Sequence, residues 1–138
     1  MNEEEKTKSD ARERGIWGER IAERFLREAG YRIIGHNVRY DHRGEADLIV
    51  RDWDHLVFVE VKTRSSEDYG RPVDAVDAAK RRSLGRLAIR FLMRAGFPPL
   101  IYRFDVVEVV GTPGGTPPVV RHLENVFQFN RRYRIPSR

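Results

Sequence analysis

Four charged residues stand inside stretches that read as β-strand: Glu45 and Asp47 in "GEADLIVRD", and Glu60 and Lys62 in "HLVFVEVKTR". Side chains alternate along a strand, so Glu45 and Asp47 share one face, as do Glu60 and Lys62 on the next strand. If "DWDH" is a hairpin turn symmetric about Trp53–Asp54, Asp47 stands opposite Glu60 and Glu45 opposite Lys62. Directly opposed residues have Cβ atoms about 4.5–5.5 Å apart, close enough for two carboxylates to share an ion. Without a cation, two buried carboxylates at that distance force one of them to take up a proton. A one-residue slip of register would abolish the arrangement.

Hard oxygen ligands, in a chain with no cysteine and with no histidine pair nearby, suit Mg2+ or Mn2+ bound by Asp47 and Glu60 together with waters and phosphate oxygens. Lys62, one pleat from Glu60, could then orient or activate a water, or stabilise charge developing on a phosphate. This is the chemistry of phosphodiester hydrolysis. A second reading makes Glu45–Lys62 a cross-strand ion pair and leaves Asp47 and Glu60 on a wet face. Against it, Val57, Val59 and Val61 are apolar, and so are Leu56 and Phe58 on the charged face itself. A strand apolar on both faces until Glu60 is expected to be covered on both.

The elements that must position these residues follow from periodicity. Trp17, Ile21, Ala22, Phe25, Leu26 and Ala29 recur at helical spacing before Gly30, and residues 31–40 read as a first strand. The two charged strands complete an antiparallel three-strand meander. After the polar loop 65–72, which could close over a substrate, Val76, Leu84, Leu87, Phe91 and Ala95 mark a second helix over 73–95. Residues 100–111 read as a fourth strand, and residues 119–129 as a fifth strand or an irregular cover. The expected fold is α/β: one domain over residues 15–130, a central mixed sheet flanked by helices in α-β-β-β-α-β-β order. Residues 1–14 hold almost no apolar side chain and read as a charged, disordered tail; residues 131–138 read as a basic tail.

Two further side chains aim at the charged end of the sheet. At 100° per residue Glu19 lies at the edge of the first helix's apolar stripe, where it either reaches the sheet or stays solvated. Lys80 falls in the middle of the second stripe, where it either contacts a phosphate or the site, or snorkels past the helix end. Arg103 and Asp105 share a strand face and read as a local or second-helix ion pair. His36, His42, His55 and His122 lack metal-ligand spacing and read as structural or exposed.

Charged residues make up 34% of the 138, the formal net charge is +5, and only Lys6, Lys8, Lys62 and Lys80 of the 26 basic residues are lysines. Arginine's planar fork suits phosphate, so the basic stretches 72–96 and 121–138 suggest a nucleic-acid footprint, with Arg64, Arg81, Arg82 and Arg86 as candidate contacts. The absence of cysteine, of a signal peptide and of a long apolar run fits a cytoplasmic protein that does not enter a membrane.

Glu19, then Asp47, then "EVK" at Glu60-Val61-Lys62 resembles the PD-(D/E)xK, or restriction-endonuclease-like, nuclease superfamily. The longer run "WGERIAERFLREAGYRIIGHNVR", "GEADLIVRD", "LVFVEVKTR", "AVDAAKRRSL" and "YRFDVVEV" resembles the YraN family of small bacterial proteins, over most of residues 17–110. The resemblance implies a nuclease-like α/β domain related in fold to archaeal Holliday-junction resolvases. It implies Asp47 and Glu60 as metal ligands, Lys62 as the catalytic lysine, Glu19 as the helical acid completing the site, and less directly Glu45 and Lys80. The superfamily's signature often has proline before the aspartate; Ala46 stands there in this chain. The expected function is a Mg2+- or Mn2+-dependent endonuclease on DNA, branched or structured, acting as a homodimer where two symmetric cuts are made. Other readings are a nucleic-acid-binding module with the same fold and no cleavage of its own, and a protein-interaction domain.

Overall fold

The computed structural model describes residues 1–42, 44–66 and 77–127. Its elements are α1 (Glu3–Glu28), β1 (Arg32–Asp41), β2 (Gly44–Asp52), β3 (His55–Arg64), α2 (Ala78–Ala95), β4 (Ile101–Val110) and β5 (Val119–Phe127). The order is the expected one, and the five strands lie side by side in chain order. β1, β2 and β3 form the antiparallel meander, α2 crosses over to bring β4 parallel to β3, and β5 returns antiparallel to β4. Residues 119–127 are therefore a strand and not an irregular cover.

The helices cover opposite faces of the sheet. Ala22 and Leu26 of α1 pack with Leu48, Val50, Val57, Val59, Val61, Val107 and Val109. Leu84, Leu87, Ala88 and Leu92 of α2 pack with Ile49, Leu56, Phe58 and Phe104 on the other side. This is why β3 lacks alternation: as the central strand it is buried from both sides, with Val57, Phe58 and Val59 fully covered.

α1 starts much earlier than the apolar spacing predicts. Residues 3–14, expected to be a disordered tail, form the first half of the helix. They lack apolar anchors but satisfy helix chemistry by themselves. Asn2 caps the helix in a reciprocal box with Glu5, Glu3, Glu4 and Glu5 sit at the positive end of its dipole, and Lys8 pairs with Glu4 one turn on. α2 begins at Ala78, with the Asp77 side chain accepting the Lys80 N–H at 2.9 Å, and ends at Gly96, whose φ of 74° is left-handed. The earlier start expected for α2, at residue 73, and most of the loop 65–72 lie outside the described residues. Among those residues no helix is long and apolar enough to cross a membrane.

Both helices approach the sheet at a glycine. A Cβ on Gly18 would lie 1.9 Å from Thr63 Oγ1, and one on Gly44 would lie 2.8 Å from the Ser83 carbonyl of α2. Gly18→Ala should therefore lower stability by about 1–2 kcal/mol, because overpacking outweighs alanine's better helix propensity. Urea denaturation of Gly18→Ala beside Gly18→Ala/Thr63→Ala checks this, with the double variant recovering part of the loss.

Candidate active site

The β2–β3 hairpin has the register read from the sequence. Asp52 pairs with His55 around the turn Trp53–Asp54, and the ladder continues through Val50/Val57 to Leu48/Val59. The next pair in that register would be Asp47 and Glu60, and there the two strands part. Leu48 packs with α1, whereas Ala46, two residues away, packs with α2, so the alternation of faces breaks at Asp47. The Asp47 side chain fills the opening: its Oδ2 accepts the Val61 N–H at 2.8 Å. A carboxylate thus closes the ladder where a backbone carbonyl would otherwise serve.

Glu60 lies on the α2 face of β3, with only 6% of its surface exposed. Burial, then the charge of Glu60, push the Asp47 carboxyl up to about 7; Glu19 adds to the rise, while the Val61 N–H and Lys80 oppose it. Asp47 thus lies near enough to Glu60 to feel its charge, although the ladder itself stops one pair short, at Leu48/Val59. Glu19 reaches this end of the sheet from α1, half-buried, with Asn37 Nδ2 donating to its Oε2 at 3.3 Å.

Lys80 comes from the first turn of α2, where the Asp77 cap fixes its backbone, and its Nζ lies 3.1 Å from Glu60 Oε1. Burial works against the Lys80 charge, but Glu60 outweighs it and holds the ammonium above its ordinary value. Lys62 is half-buried, on the same face as Glu60 and beside Glu108 in the parallel β3–β4 register, and has no ion pair among the described residues. Glu19, Asp47, Glu60, Lys62 and Lys80 thus gather at the carboxyl end of β3, the end of a parallel strand pair where α/β sheets open ligand sites.

Two expected placements fail. Glu45 does not pair with Lys62: beyond Leu48 strand β2 stays with β1, and Glu45 takes Arg39 Nη2 at 2.5 Å in the Arg39/Glu45 register. It still lies close enough to favour the Lys80 charge. Arg64 is not on an open basic surface. The parallel pairing of β3 with β4 turns it onto the face of Glu108, its Nε is 3.4 Å from Glu108 Oε2, and its side chain is 10% exposed. Arg81, Arg82 and Arg86 are exposed on α2, Arg81 with its guanidinium 5.6 Å from the centre of the Phe127 ring.

A second polar cluster lies on the other face of the sheet. Ligand atoms of Asp105, His122 and Glu124 come within 4.8 Å of one another, a spacing that could hold a metal ion. Arg103 already supplies the positive charge, donating to both oxygens of Asp105 at 2.8 and 2.9 Å. His122 Nε2 at 2.6 Å and the Asn125 N–H at 2.9 Å complete the shell of Asp105. Burial alone would raise the Asp105 carboxyl, yet these partners hold it below its ordinary value. The Arg103–Asp105 pair is local to β4, with no part played by α2. His122 is thus the structural histidine of the two alternatives read from the sequence, and "RFD" and "HLE", each with two polar residues on one face of neighbouring strands, carry the signal for its partner.

Residues 18–109 match the uncharacterised protein family UPF0102. The chain belongs to the UPF0102 family. UPF0102 is the YraN family of the sequence resemblance, within the restriction-endonuclease-like superfamily. The UPF0102 protein of Symbiobacterium thermophilum is 54% identical over 101 residues, covering 73% of this chain and 85% of that relative. The UPF0102 protein of Nocardia farcinica is 47% identical over 113 residues, 82% of this chain and 87% of the relative. That of Acetivibrio thermocellus is 44% identical over 109 residues, 79% of this chain and 84% of the relative. The UPF0102 match contains Glu19, Asp47, Glu60, Lys62 and Lys80 and ends within β4, so it stops short of His122 and Glu124.

Proposed function

We propose that this protein is a metal-dependent endonuclease that hydrolyses phosphodiesters of DNA, with branched or structured DNA as its substrate. The observation that carries the reading is the cluster at the end of β3: the Asp47 carboxylate fixed by the Val61 N–H at 2.8 Å, and Glu60, only 6% exposed, with Lys80 at 3.1 Å, where burial and the Glu60 charge both raise the Asp47 carboxyl. Mutually repelling oxygen donors with no thiolate among them fit a hard divalent cation, so Asp47 and Glu60 would hold Mg2+ or Mn2+, with Glu19 completing the set. When bound, such an ion supplies Lewis acidity and a more acidic water.

The chain's own residues do the rest. The Val61 N–H fixes the Asp47 carboxylate through Oδ2, leaving its second oxygen for a ligand. Lys62, on the face of Glu60, donates to a phosphate oxygen or holds the hydrolytic water. Lys80 keeps Glu60 neutralised until substrate arrives and then offers its ammonium to a phosphate. Arg81, Arg82 and Arg86 on α2 supply backbone contacts. Cutting both strands of a junction symmetrically takes two copies about a two-fold axis.

The test is cleavage of a panel of junction, flap, single-stranded and duplex DNA with Mg2+ or Mn2+. Asp47→Ala and Glu60→Ala should each abolish cleavage; activity unchanged in either variant rules out this site. The Lys80–Glu60 ion pair at 3.1 Å also suits a second reading, a nucleic-acid-binding module that cuts nothing by itself, because one ligand already has a cation. Salt-dependent binding without hydrolysis across the same panel would select it.

A further inference from the structure

One flank of α2 carries a row of arginines, of which the function proposed above uses only Arg86. At about 100° per residue Ser83, Arg86, Arg90 and Arg94 fall within about 80° of one another, on the side of the helix that faces β1 and β2. Arg81 falls on the other flank, against Phe127. Between this row and the β1–β2 turn lies a cleft of about 260 Å³ whose walls include Tyr40, Arg86, Leu87, Ile89 and Arg90. A second cleft of about 300 Å³ shares Asp41 and Gly44 with it and runs on to Glu45 and Ser83, one turn of α2 from Lys80. The two clefts meet at Asp41 and Gly44 and extend along the helix toward its first turn, where Lys80 stands.

The chemistry of the clefts has two parts. Leu87, Ile89 and the Tyr40 ring give the first cleft an apolar, partly aromatic wall, and Arg94 lies 4.3 Å from the centre of the Tyr40 ring. Arg86 is exposed and makes no ion pair among the described residues, whereas Arg90 is partly neutralised by Asp41. A cleft of this size is below the ~300–1,000 Å³ of ordinary cofactor pockets and suits a single planar ring with an anion at its rim. That combination is one nucleotide. Lys80 and Arg86 are six residues apart, about 9 Å along the helix, or two to three nucleotide rises of about 3.4 Å.

We propose that this flank of α2 tracks one nucleic-acid strand and that the Tyr40 cleft receives an unpaired base two to three nucleotides from the cut, with Arg86 on its phosphate. The inference rests on the nucleic-acid reading above and narrows its substrate class: a base paired in continuous duplex cannot enter the cleft, so the preferred DNA has a single-stranded segment beside the cut.

Fluorescence anisotropy tests it, with metal chelated so that nothing is cleaved, using a labelled duplex with a short single-stranded flap beside the blunt duplex. The parent protein should prefer the flap by about tenfold, the scale of one base–aromatic stack. Tyr40→Leu should lose the preference while binding the blunt duplex as before, Arg86→Ala should lose the preference and also bind both DNAs more weakly, and Tyr40→Phe should keep it. Equal binding of flap and duplex by the parent, or an undiminished preference in Arg86→Ala and Tyr40→Leu, overturns the cleft assignment and leaves the nuclease reading standing. Failure of the parent to bind either DNA at low salt removes both.

Discussion

Asp47→Asn should become more stable than the parent at pH 8 in the absence of metal, while losing metal-dependent cleavage by about 10²–10³-fold or more. Asparagine keeps an oxygen for the Val61 N–H, so the ladder closure survives, but the charge beside Glu60 is gone. A carboxyl that titrates near 7 in the folded chain, against 3.8 ordinarily, costs up to about 4 kcal/mol once ionised; sharing with Glu60 and Lys80 makes about 2 kcal/mol the expected gain. The sign follows from linkage. The folded state holds the Asp47 proton more tightly than the unfolded chain, so stability fully present below about 4 is lost as pH rises to about 7. Asp47→Asn should therefore match the parent near pH 4 and exceed it at pH 8. Thermal melts at both pH values, with and without Mn2+, check each limb: at pH 8 the parent should gain stability from Mn2+ and the variant should not. A variant less stable than the parent at pH 8 would mean that the carboxylate is a structural ion-pair member.

Asp105→Ala should be the most destabilising single change outside the apolar core, at about 3–5 kcal/mol. Asp105 is fully buried, and its loss leaves the Arg103 guanidinium, 13% exposed, without its bidentate partner and strands the Asn125 N–H. Arg103 also donates to the Tyr31 hydroxyl at 2.7 Å, so the change reaches the α1–β1 corner. Against a total of about 5–15 kcal/mol, such a loss should show as a large fall in the urea midpoint. Asp105→Asn, which keeps the shape and one acceptor, should lose less and should retain the full stabilisation by Mn2+ at pH 8. A loss of that Mn2+ response in Asp105→Asn would show that Asp105, His122 and Glu124 bind the ion instead.

What could be read along the chain was whatever rests on period and on neighbours in sequence. The short "DWDH" turn, symmetric about Trp53–Asp54, fixes the β2–β3 register from Asp52/His55 to Leu48/Val59. The two helical stripes put Glu19 and Lys80 within reach of the sheet but left open whether they stay solvated; the structure brings both to Asp47 and Glu60, with Lys80 still 45% exposed. Residues 3–14 offer no apolar anchor to a core and so carry no periodic signal, yet a capping box and charge pairs sustain their helix without one.

The sequence by itself determined the order of elements and the hairpin register from Asp52/His55 to Leu48/Val59, since both depend on local geometry that few alternatives can satisfy. Only the tertiary structure decided how the charges are partnered. β2 leaves β3 at Asp47, so the Val61 N–H holds its carboxylate and Glu45 turns to Arg39; the crossover of α2 brings Lys80 to Glu60; the parallel pairing of β3 and β4 buries Arg64 against Glu108. Ion pairs between strands depend on where strands diverge and on which face a distant element covers, and no spacing along the chain carries that information.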